Sequence, residues 1–256
     1  MDNGSHKIHH TDERNIIRIN KYLSDRGICS RREADRLVEQ KRVTINGVPA
    51  EPGSKVAIGD QVMLDNRLLT DKTKKRIYIA FNKPPGITCT TDRSIPGNIV
   101  DYINYPERIF HIGRLDKESQ GLILMTNDGD IVNKILRASN NHEKEYVVTV
   151  NKPVTDDFLA GMASGVKILD TITKPCKVTK LDRNIFKIIL TQGLNRQIRR
   201  MCSVFGYSVV KLKRIRIMNI HLNSLALGKW RYLSDSELHD LDLLISSSVK
   251  TEEASC

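Results

Sequence analysis

Gly113-Arg114-Leu115-Asp116-Lys117-Glu118-Ser119-Gln120-Gly121-Leu122-Ile123-Leu124 changes character halfway along, from charged to wholly apolar. Its apolar half continues through Met125, and an uninterrupted run of that length predicts a short buried strand over Gly121–Thr126. Ile109–Ile112 bounds the charged half on its other side. Asp116 therefore lies on a loop at the end of a buried strand. A rigid sheet can hold a side chain there while leaving it open to solvent and substrate.

Working outward, further strands are expected at Ile77–Asn82, Lys144–Val150, Cys176–Leu181, Asn184–Thr191 and Tyr207–Ile217. Helices fall between them. One follows Asp130 and carries Ile131, Ile135 and Leu136 on its apolar face. Another begins near Thr155 and buries Phe158, Leu159 and Met162. The last starts at Ser234, where Glu237 completes a capping box and Leu233 and Leu238 are placed as a hydrophobic staple. Irregular spacing of strands and helices argues for an α+β fold with a mixed, mainly antiparallel sheet rather than a doubly wound one. GxGxxG, P-loop and HExxH patterns are absent, so no nucleotide cofactor and no metal are expected.

Asn195-Arg196-Gln197-Ile198-Arg199-Arg200-Met201 is the second informative string. Ile198, Met201, Cys202 and Phe205 make an apolar helical stripe that stops at Gly206, and the arginines lie towards the other side. Between Gln192 and Arg216 there are seven Lys or Arg residues and no acidic one. Such local imbalance suits a cleft facing a polyanion, because neutralised phosphates release counterions.

The first part of the chain is organised differently. Ile19, Tyr22 and Leu23 recur at helical spacing up to Gly27, and Ser30 with Glu33 opens a second helix carrying Ala34, Leu37 and Val38. Val43 and Ile45 begin a strand, Asn46-Gly47 marks a hairpin, and short strands centre on Val56–Ile58 and Val62–Leu64. Arg26, Arg31, Arg32 and Arg36 surround the two helices at a density that favours phosphate contacts. The expected organisation is a polar extension over 1–16 with His6, His9 and His10, a small module over 17–65, a Lys-rich linker over 66–76, a larger domain over 77–246 and a polar tail over 247–256.

The 256 residues carry a formal net charge of +11, which points to nucleic acid as partner. No apolar run approaches the ~18–20 residues that span a bilayer, so no membrane association is expected. Five scattered cysteines form neither a disulfide framework nor a paired metal motif, and a reducing cytoplasm is the expected compartment.

These strings carry a family resemblance. The run from Arg18 to Asp35, continued by Val43-Thr44-Ile45-Asn46-Gly47, resembles the RNA-binding module shared with the small-subunit ribosomal protein S-four family. The Asp116 loop, Lys144-Glu145-Tyr146, the Arg199 segment and Lys83-Pro84-Pro85-Gly86 resemble RNA pseudouridine synthases of the RsuA/RluB/RluE/RluF group. Asn98-Ile99-Val100-Asp101-Tyr102 and the string from Ile135 to Tyr146 are closest to its RluF-type branch.

The resemblance implies an S-four-like module followed by a cofactor-free catalytic domain that turns uridine into pseudouridine. It implies that Asp116 is the essential aspartate, as nucleophile or as base, with Arg199 its cationic partner and Tyr146 against the base. Arg114 would fill the space left by a flipped nucleotide, and Arg196 and Arg200 would join the RNA contacts. The implied substrate is 23S ribosomal RNA of the large subunit, with a tRNA anticodon-loop uridine as a second, and a monomer is the expected state. The competing expectations are a 16S rRNA enzyme of the same group and a non-catalytic ribosome-assembly factor.

Overall fold

In a computed structural model, residues 16–70, 75–136 and 140–246 are described, and the chain divides into two units, Met1–Lys75 and Arg76–Cys256. The expected extension with its three histidines and the expected tail lie outside the described residues.

The first unit runs β1 (Ile17–Arg18), α1 (Ile19–Asp25), α2 (Arg31–Glu39), β2 (Val43–Ile45), β3 (Val48–Pro49), β4 (Lys55–Val56), β5 (Val62–Leu64) and β6 (Arg67–Leu68). Gly27 takes φ +66°, the left-handed stop expected after α1. Ser30 Oγ accepts the Glu33 amide at 3.1 Å, which caps α2. The reciprocal half of that box is not made, because the Glu33 carboxylate meets Arg36 at 3.5 Å instead. Strands β3-β2-β5-β6 form one small sheet and β1 pairs with β4. Ile19, Leu23, Ala34, Leu37, Val38, Val43 and Val62 close the core between helices and sheet. Within the span expected as linker, Arg67–Leu68 form β6, paired with Met63–Leu64 across the Asp65–Asn66 turn.

The second unit contains β7 (Tyr78–Lys83), α3 (Ile99–Ile103), β8 (Phe110–Ile112), β9 (Gln120–Thr126), α4 (Gly129–Leu136), β10 (Lys144–Val150) and α5 (Asp156–Ser164). It continues with β11 (Lys167–Ile168), β12 (Thr171–Ile172), β13 (Lys177–Asp182), β14 (Ile185–Leu190), α6 (Gln197–Val204), β15 (Val209–Ile217), β16 (Ile220–His221), β17 (Trp230–Tyr232) and α7 (Asp235–Ser246). Its nine-stranded sheet has the order β13-β14-β10-β15-β9-β7-β17, with β16 beside β15 and β8 beside β9. Among the described residues of this sheet the β15–β9 pair is parallel and the others are antiparallel, so the sheet is mixed and mainly antiparallel.

Two cores cover the sheet's faces. Ile79, Phe81, Ile123 and Met125 join the first, with Tyr146, Leu212 and residues of α3, α5 and α6. Ala80, Leu122 and Leu124 point the other way, onto Ile131 and Ile135 of α4 and Leu241 and Ile245 of α7. The unbroken apolar run after Gly121 has this cause: neighbouring residues of a central strand face opposite cores. At α7 the full capping box forms, with Ser234 Oγ accepting the Glu237 amide at 3.2 Å and Glu237 accepting the Ser234 amide at 2.9 Å. Thr155 caps α5 through the Phe158 amide at 3.2 Å.

Candidate active site

The Asp116 loop is braced from three sides. Its own turn is closed by the Ser119 amide donating to the Asp116 carbonyl at 3.0 Å. The Leu115 amide donates to Cys89 Sγ at 3.4 Å. The Lys117 carbonyl accepts the Gly86 amide at 2.7 Å and Lys83 Nζ at 3.3 Å. Lys83 is fully buried and also donates to the Pro84 and Ile87 carbonyls, both at 2.8 Å. Its burial holds the ammonium group below its ordinary pKa. The Lys-Pro-Pro-Gly turn thus serves as a clamp that fixes the loop backbone.

Beyond the loop, Gly121 takes φ +114°, and a Cβ there would collide with the Arg214 backbone. Only glycine lets β9 approach β15 this closely, and that approach sets the loop's exit.

Helix α6 supplies the cations. Arg199 Nε lies 3.5 Å from Asp116 Oδ2. The same guanidinium donates to Ser119 Oγ at 3.2 Å and to the Val209 carbonyl at 3.2 Å, so its plane is fixed at both ends. Arg196 precedes the helix in the left-handed region at φ 49° and reaches Asp116 at 3.9 Å and Glu118 at 3.2 Å. A non-glycine residue held there is a local strain that aims the side chain back at the loop. The carboxylate is thus flanked by two guanidiniums and stays partly open, its side chain 28% exposed.

Around this pair is a cleft of about 680 Å³, whose lining includes Arg114, Asp116, Tyr146, Arg196, Arg199 and Leu212. Its volume is within the range of small-ligand sites, roughly 300–1,000 Å³. Tyr146 is buried on β10 and faces the cleft from the sheet, directly across from Arg214 of β15. The structure therefore brings Arg114, Asp116, Tyr146, Arg196 and Arg199 together. It does not bring Arg200 into the lining; that side chain is held by the Asn195 carbonyl at 3.0 Å and the Asn195 side chain at 3.1 Å. Arg26, Arg31, Arg32 and Arg36 belong to the first unit. There Arg26 lies over the Tyr22 ring at 3.4 Å, while Arg31, Arg32 and Arg36 are exposed.

Three contributors escaped the sequence reading as site residues: Ser119, Lys144 and Arg214. Lys144 had a readable signal, since it shares the inward register of β10 with Tyr146, Val148 and Val150. Among the described residues no helix is long and apolar enough to cross a membrane, and no cluster of three metal-ligating side chains occurs.

A braced carboxylate on the loop before a central strand is paired with an arginine of the facing helix. Residues 77–204 match the RNA pseudouridylate synthase family, and residues 17–62 match the S4 domain. The chain belongs to the RNA pseudouridine synthase family, and it is an isomerase acting on RNA.

It is 58% identical to the dual-specificity RNA pseudouridine synthase RluF of Salmonella typhi over 90% of this chain and 80% of that one. The corresponding Escherichia coli K12 protein is 56% identical, over 91% and 80% of the two chains. A solved pseudouridylate synthase structure, 30% identical, superposes with a TM-score of 0.66 over 88% of this chain and 99% of its own.

Proposed function

We propose that the protein isomerises a specific uridine of 23S ribosomal RNA, and a tRNA anticodon-loop uridine as a second substrate, with Asp116 performing the chemistry. The observation that carries this reading is the Asp116–Arg199 pair, 3.5 Å apart in a cleft walled by Tyr146. In the proposed course the target nucleotide flips out of its stack, at a cost of a few kcal/mol, and Arg114 at the cleft mouth takes the vacated space. The base enters against Tyr146. Asp116, paired with Arg199, attacks the anomeric carbon or removes a ribose proton, and the glycosidic bond breaks. The base turns while bound, its carbon 5 joins the ribose, and the carbon 5 proton leaves, with the Tyr146 hydroxyl within the cleft to assist.

The basic face made by Arg31, Arg32 and Arg36 holds folded RNA by its phosphates, which positions the substrate without reading its sequence. The dual specificity in the names of the relatives supports two substrates rather than one. We take the working form to be a cytoplasmic monomer. The test is pseudouridine mapping across ribosomal and transfer RNA in cells lacking the protein, with rescue by wild type or by Asp116→Asn. Loss of a 23S site restored only by wild type is the expected result. Loss of a 16S site would keep the chemistry and overturn the target, and no change at any site would favour a non-catalytic assembly factor.

A further inference from the structure

Among the described residues, no carboxylate pairs with two buried cations of the cleft. Lys144 and Arg214 both line it, at 6% and 3% exposure, on neighbouring strands of the same sheet face as Tyr146. Lys144 Nζ donates to the His142 carbonyl at 3.2 Å, and Arg214 Nε to the Leu122 carbonyl at 2.7 Å. Arg214 Nη2 is buried without a partner. The carboxylates beside Lys144 in sequence are spent elsewhere: Glu143 and Glu145 hold Arg216 at 2.8 Å and 2.7 Å. Asp116 is engaged by Arg199 and Arg196. Burial, aided by the Arg214 charge, pushes the Lys144 ammonium down to about 8. An unpaired buried cation is expensive, and two side by side are kept where an anion visits.

We propose that Lys144 and Arg214 form a leaving-group site that receives the O2 or O4 oxygen of uracil as its bond to the ribose breaks. The inference rests on the isomerisation reading above. When the C1′–N1 bond cleaves, both bonding electrons stay with the base, giving a uracil anion with charge on N1, O2 and O4. That pair is returned when carbon 5 bonds to C1′; the carbon 5 proton is then lost and N1 gains one. Fixed cations in a low-dielectric pocket stabilise charge that exists only during this interval. A phosphate is the poorer match, because the pair lies deep beside Tyr146 while the exposed arginines, Arg114 and Arg196, stand at the cleft surface.

The test compares single-turnover rates of C1′–N1 cleavage, read as loss of the target nucleoside, for the full-length wild type and Lys144→Met on target RNA carrying either uridine or 5-fluorouridine. The latter has no carbon 5 proton to lose and so reports cleavage rather than pseudouridine formation. Fluorine makes the base more acidic, so its anion departs with less help. Lys144→Met is expected to be slower by about 100-fold with uridine, with the deficit shrinking about tenfold with 5-fluorouridine and RNA Kd within about threefold. Arg214→Lys should repeat the pattern, and Lys144→Met should melt at or above the wild-type Tm. An equal deficit with both bases, a full rate at saturating RNA with weakened Kd, or an unfolded Lys144→Met protein would overturn the leaving-group site alone. A wild type without isomerase activity, or an Asp116→Asn variant as fast as wild type, would overturn the isomerisation reading itself and this site with it.

Discussion

At the scale of single residues, the cleft concentrates charge that the fold alone would not favour. Arg199 is fixed by Ser119 and Val209 as well as by Asp116, so its role depends on geometry and not only on charge. Arg199→Lys keeps the charge but loses the planar fork and is expected to lower kcat by about 10²-fold with little change in RNA affinity. A kcat/KM series at saturating and limiting RNA checks this, and a KM effect alone would contradict it.

Lys144 makes a second prediction, on stability. Its folded pKa of about 8 lies below the ordinary lysine value of 10.5. The folded state therefore holds fewer protons than the unfolded state between those values, and stability contributed by this group rises with pH across that window. Below about pH 8 the cost of the buried charge is present in full. Lys144→Met should raise stability at pH 7 by roughly 1–3 kcal/mol, and the gain should fade above about pH 10. Urea melts at pH 7 and pH 10 measure it. Asp116 and Arg199 were legible in the sequence because their strings are specific, whereas Lys144 and Arg214 read as ordinary strand lysine and arginine until the register placed them beside Tyr146.

At the scale of elements, short-range signals were the readable ones. Helix starts at Ser30, Thr155 and Ser234 carry capping side chains, and each cap forms. Strand β10 follows its expected bounds because alternation is clean there. Among the missed pieces, β11, β12, β16 and β17 are two or three residues long; β11 pairs with β12 and β16 with the end of β15 across tight turns, while β17 depends on β7, far away in sequence. Helix α3, five residues long, is likewise too short for its periodicity to register. Gly121 gave a sequence signal only as a strand glycine, yet it governs the parallel β9–β15 contact. Gly121→Ala would force backbone against backbone and is expected to cost on the order of 3 kcal/mol, with activity falling more than stability because the Asp116 loop exits there. Denaturant midpoints alongside turnover at low temperature separate the two effects. Thr155→Ala, by contrast, should cost about 1 kcal/mol and leave kcat alone.

At the scale of the whole molecule, each unit has its own core, residues 17–69 in the first and 77–245 in the second. Binding and chemistry are therefore expected to separate under mutation. Replacing Arg31, Arg32 and Arg36 together by alanine should weaken RNA binding and lower the salt dependence of log K by roughly two to three, while kcat at saturating RNA stays near wild type. A drop in kcat at saturation would mean that the module takes part in the reaction step. The overall architecture was legible because hydrophobic pattern and motif order agree along the chain. The sheet order was not, since long-range pairing leaves no mark in local sequence.

In the proposed reaction Asp116 performs the isomerisation beside Arg199, and replacing its carboxylate tests this role by itself. Purified wild type and Asp116→Asn are compared for single-turnover pseudouridine formation in 23S ribosomal RNA, with RNA affinity measured in parallel. Asp116→Asn is expected to lose about 10⁴-fold or more in rate and to bind RNA within a few-fold of wild type. An Asp116→Asn protein that forms pseudouridine at a rate close to wild type would contradict it.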